Sequence, residues 1–183
     1  ALAISKVAVD EHCVAHCWAP ANTDLLARLV AIIAMGQAAH AARIIRSLSP
    51  ATPELNHGAL REAAKANLRV AAETEEQRAA LIAHRDGFIF EAISWIAAQQ
   101  STNGTALLCD PHIKATTQGL DGLMLERSGE GAISRTTIFE DKCSTHPRDK
   151  FRDEILPAFM AHHANERGPE LVAAGAALLE KAG

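Results

Sequence analysis

At 183 residues, with 48% hydrophobic and 22% charged residues, the chain has an ordinary globular composition and is long enough to bury a core, which excludes a disordered tail. A formal net charge of -4 argues against a protein that grips nucleic acid unaided, because Lys and Arg contacts to phosphate carry most non-specific affinity. The most apolar stretch, Leu29 to Ala42, contains Gln37 and His40 and is too short to span a bilayer, and no secretory leader opens the chain, so a cytoplasmic setting without membrane contact is expected.

Residues 1 to about 75 read as an alanine-rich helical region. Within it, His12, Cys13, His16 and Cys17 would form one patch on a helix, and imidazole with thiolate is zinc-type ligation. Four adjacent side chains on one helical face do not enclose a tetrahedral ion, so buried thiols and partly buried imidazoles are the expectation. Thr23 and Asp24 can cap a helix running to about Leu48, Ser49-Pro50-Ala51-Thr52-Pro53 breaks it, and a second helix spans roughly Leu60 to Ala72. Thr74-Glu75-Glu76-Gln77 is a capping box for the next helix, which is expected to be interrupted at Asp86-Gly87.

That helix leads into a second region, residues 76–183. Strands are expected near Thr105 to Cys109, His112 to Thr117, Leu120 to Arg127 and Ile133 to Cys143, with Cys109 and Cys143 as core thiols. Ser128-Gly129-Glu130-Gly131 supplies the small residues of a hairpin turn. Folding back about Glu130 brings Asp121 beside Phe139 or Glu140. Strand alternation then projects Glu140 and Lys142 from one face and turns Asp141 to the other, as a surface or capping residue. Two carboxylates and an ammonium converge. Such a group is costly unless a cation joins it, because like charges raise each other's pKa. Hard divalent ions take carboxylate oxygens together with substrate phosphates.

An acidic residue entering one strand and Glu-x-Lys on the next resembles the PD-(D/E)XK nuclease superfamily, with Asp121, Glu140 and Lys142 at the matching positions. The resemblance covers roughly residues 80 to 165. It extends to a preceding helix that carries an acidic residue, here Glu91, and to a following helix opened by Thr145-His146-Pro147 and kinked near Pro157. The implied fold class is α/β, a restriction-endonuclease-like core of helix, three or four mixed or antiparallel strands and helix, behind an α-helical N-terminal extension. The family's last strand is not found before Gly183, so an open edge is expected, together with self-association or a protein partner covering the region after Leu171.

The resemblance implies a DNA endonuclease that uses Mg²⁺ or Mn²⁺, with Asp121 and Glu140 as ligands. Lys142 would orient the attacking water or steady phosphate charge, and Glu91 would assist. Arg148, Lys150 and Arg152, just beyond the site, are candidates for holding a DNA backbone. Such folds serve restriction and phage defence, where nuclease subunits often work beside a helicase. The alternatives are a non-catalytic subunit that keeps the fold as a docking module in a DNA-processing complex, and a hydrolase of another phosphoester. No phosphate loop or Walker motif occurs, which argues against an ATPase.

Overall fold

Residues 1–20 form a hairpin, not part of a helical region. In the computed structural model, which describes residues 1–47, 57–102, 106–112, 119–129 and 131–182, β1 (Leu2–Ala8) pairs antiparallel with β2 (Val14–Pro20). The alanines invite a helix, but Ile4, Val7, Val14 and Trp18 favour a pleated surface and Asp10 makes the turn by accepting the His12 amide at 2.8 Å. Consecutive strand residues face opposite ways, so His16 and Cys17 are separated and the helical patch dissolves. Cys13 and Cys17 are exposed, contrary to the core position expected for them. The hairpin is tied down where the Leu2 amide donates to Gln100 Oε1 at 3.0 Å.

Asn22, not Thr23 or Asp24, caps α1 (Thr23–Ala34), its side chain accepting the Leu25 amide at 2.9 Å. Leu26, Leu29, Val30 and Ile33 form its buried stripe. The helix stops well before Leu48, because the chain turns through Gly36 at φ 72° and restarts as α2 (Ala38–Ser47). The Ser49 to Pro53 breaker lies outside the described residues. α3 (His57–Leu68) is the second expected helix, a few residues early.

Thr74 caps α4 (Glu75–Ser101) as expected, accepting the Gln77 amide at 3.2 Å. This 27-residue helix continues unbroken through Asp86-Gly87. Phe88, Glu91, Ala92, Trp95 and Ile96 lie on one buried face, and the apolar spacing outweighs the local weakness of one glycine. Against that face pack α1, α2 and the hairpin, forming the larger core around Leu29, Ile33 and Ile96.

The second sheet is antiparallel in the order β3 (Ala106–Leu108), β4 (Gly122–Arg127), β5 (Ile133–Phe139). β5 ends earlier than expected, and Cys143 beyond it is exposed while Cys109 is half-buried. Of the strand expected over His112 to Thr117, His112 lies outside any strand and residues 113–118 lie outside the described ones. Gly122 starts β4 because a Cβ there would come within 3.1 Å of the Phe139 ring. Trp95 Nε1 donates to the Cys109 carbonyl at 2.9 Å, fastening the sheet to α4.

After β5 come α5 (Pro147–Lys150), a π turn (Phe151–Ile155) and α6 (Leu156–His163). The wide turn stands where Pro157 denies the helix an amide, giving the expected irregularity a definite form. α7 (Gly168–Ala182) then folds back on the sheet, with Leu171, Leu178 and Leu179 against Leu123, Leu125 and Ile138. The apolar side chains assigned to an absent partner are therefore largely used internally, although Val172 stays exposed. Among the described residues no strand follows β5. The protein is mixed α/β with two small antiparallel sheets.

Candidate active site

The β4–β5 register pairs Gly122 with Phe139, so Asp121 and Glu140 meet one step beyond the last rung. Lys142 joins them, its Nζ 2.6 Å from Glu140 Oε1 and 3.4 Å from Asp121 Oδ2. All three side chains are more than two-thirds buried. Burial works against the Lys142 charge, but the hydrogen bond to Glu140 and the charges of both carboxylates outweigh it, and the ammonium is held above its ordinary value.

Asp141 departs from expectation. It does turn to the other face, yet that face is not solvent: it is covered by α4. There Asp141 adjoins Glu91, Ser94 and Asp121 around a cavity of about 10 Å³, the size of a single water. Its amide donates to Asp121 Oδ2 at 2.7 Å. Burial, reinforced by the charges of Asp121 and Glu91 and offset in part by a bond to Ser94, pushes the Asp141 carboxyl up to about 6.

Glu91, the helix-borne acid, is 9% exposed and engaged by His112, whose amide and Nδ1 lie 2.7 and 3.2 Å from Glu91 Oε1. Burial raises its pKa against these bonds. Sequence reasoning did not single out His112 for this, because an acid and an imidazole 21 positions apart give no local signal. Ser94 was legible in principle, being one helical turn beyond Glu91. Arg167 was also missed. It grips Glu170 through Nε and Nη2 at 2.8 and 2.9 Å, and is raised by that bond first and by the charges of Glu140 and Asp121 further.

The basic cluster is less free than its sequence suggests. Lys150 pairs with Glu154, while Arg152 lies 3.2 Å from Asp149 and 2.6 Å from Asp153. Arg148 is exposed. These alternating pairs neutralise most of the local charge.

Among the described residues, no set of three or more His, Cys, Asp or Glu side chains is arranged to hold a metal ion. Asp121 and Glu140 offer two carboxylates, the oxygen donors of a hard cation, with Lys142 as their present counter-charge. No helix among the described residues is long and apolar enough to cross a membrane. No family model, curated protein or solved structure matches the chain.

Proposed function

We propose that the chain is a metal-dependent DNA endonuclease with a PD-(D/E)XK site. The observation that carries this reading is Lys142 Nζ lying between Asp121 Oδ2 and Glu140 Oε1 at the end of a hairpin, the convergence that Asp…Glu-x-Lys requires. The donor chemistry suits Mg²⁺ or Mn²⁺, which Asp121 and Glu140 would hold. Such an ion, when bound, polarises the phosphate and makes a bound water more acidic. Lys142 orients the attacking water or stabilises charge on the phosphate oxygens. Glu91, which holds His112 from α4, would assist. Arg148, Lys150 and Arg152 would meet the DNA backbone by exchanging carboxylate partners for phosphates.

The test is incubation of the purified chain with plasmid and with circular single-stranded DNA, in Mg²⁺, in Mn²⁺ and in EDTA. Cleavage with either cation, abolished by EDTA and by Asp121→Asn, is expected. No cleavage of either DNA, or cleavage indifferent to EDTA, overturns the proposal. A non-catalytic docking subunit is the second reading, favoured by one observation: the Lys142 ammonium is paired with both carboxylates of the group.

A further inference from the structure

The hairpin, the C-terminal half of α4 and one face of the second sheet enclose a groove of about 670 Å³. Strand alternation decides what it displays. From β1 and β2, Ile4, Lys6, Val14, His16 and Trp18 face it, with Lys6 opposite His16 and Ile4 opposite Trp18, and from β5 Arg135, Thr137 and Phe139 face back. Trp18 is 36% exposed, and its ring is braced by Phe90 at a centroid distance of 6.2 Å. The groove adjoins the small cavity bordered by Asp121 and Asp141, since Ser94, Ala98 and Phe139 line both.

We propose that this groove binds single-stranded DNA and leads it to the end of β5 beside Asp121. The delivery step rests on the nuclease reading. Three features select this occupant. The volume falls within the roughly 300–1,000 Å³ of ligand pockets, so it accepts a few nucleotides of one strand and not a stacked duplex. Lys6 and Arg135 stand on opposite walls as phosphate partners, with His16 beside Lys6. Glu126, 3.5 Å from Arg135, is the acidic residue that a phosphate would displace. Trp18 offers a braced aromatic face, the element on which bases of a single strand stack regardless of sequence. A net charge of -4 is compatible with this, since the positive charge needed is confined to the groove walls.

The test measures binding in EDTA, so that no cutting intervenes. Fluorescence anisotropy compares a labelled oligo-dT strand, the same strand in duplex and an oligo-U RNA of equal length, while tryptophan emission is followed in parallel. Trp95 is 6% exposed, so quenching reports Trp18. The expected result is single-stranded DNA binding at least about tenfold tighter than duplex, with quenching and strong salt dependence. Trp18→Ala should weaken it about tenfold, and the double reversal Lys6→Glu with Arg135→Glu, at exposed positions that leave the fold intact, should abolish it. Equal or tighter duplex binding, tighter RNA binding, or affinity unmoved by the double reversal overturns the proposal. Strand binding through the groove with no cutting in Mg²⁺ upholds the groove and removes the nuclease reading. Cutting of plasmid unaffected by the double reversal does the opposite.

Discussion

The amide of Asp141 donates to Oδ2 of Asp121 at 2.7 Å, and the same oxygen faces the Lys142 ammonium at 3.4 Å. Asp121 is thereby fixed before any ligand arrives. A carboxylate held by its neighbour's backbone keeps its orientation when the side chains around it change, which is the preorganisation a reacting site needs.

Asp121→Asn should preserve that bond, because the amide oxygen still accepts, and should leave the melting temperature close to the parent's while removing cleavage. Asp121→Ala strips the acceptor from a half-buried amide and should cost about 1–3 kcal/mol. Parental cutting by either variant would show that Asp121 is not part of the chemistry.

Asp141 predicts an unusual pH dependence. Burial pushes its carboxyl up to about 6 in the folded protein from an ordinary value of 3.8, so between these values the folded state binds more protons than the unfolded state. The contribution of Asp141 to stability is thus full below about pH 4 and is lost as pH rises through 6. Asp141→Asn should stabilise the protein at pH 7 by about 1–3 kcal/mol, with the gain vanishing near pH 4. Urea melts at both values check this, and an equal gain at both would mean that burial does not raise the group.

Trp95 joins α4 to β3 through one bond to the Cys109 carbonyl. Trp95→Phe keeps most of the apolar contact and orphans that oxygen, so a loss of about 1–3 kcal/mol is expected in denaturant titration. No change would mean that water replaces the indole.

Leu178 is the buried anchor of α7 on the sheet. Leu178→Ala should cost about 2–5 kcal/mol and increase binding of an exposed-surface dye, whereas the parent should be clear of it. Light scattering on the parent showing only large assemblies would mean that α7 does not close this face.

The exposed pair Cys13 and Cys17 should tolerate conversion to Ser within about 0.5 kcal/mol, and elemental analysis should find no stoichiometric zinc. A stability loss of several kcal/mol in the double variant would restore them to a core.

Where the signal was local, the sequence was readable. The Gly-rich turn and apolar runs around it were enough to define the β4–β5 hairpin, and Thr74 with Gln77 was enough to start α4. The N-terminal hairpin was misread because alanine counts weigh every position alike, while Ile4 and Trp18 act as a cross-strand pair that is visible only once the register is known. Asp141 was placed on the correct face but in the wrong environment: alternation fixes direction, and only the packing of α4 determines that this direction is interior. His112 reaches Glu91 from 21 positions away, which no window of sequence contains, and Arg167, although paired with Glu170 within one helical turn, feels Glu140 and Asp121 only through the tertiary fold.

Lys142 lies two positions from Glu140 and 21 from Asp121, all within one hairpin and its flank. Closing so short a loop is entropically cheap, so bringing the two acids together does not require α4 or α7 to be docked. Because the ammonium is carried by the same segment, the repulsion and its remedy arrive in a single event. A chain with Lys142→Ala would have to form that hairpin against its own charge, and its refolding should slow at neutral pH and recover in acid, independently of any effect on a substrate.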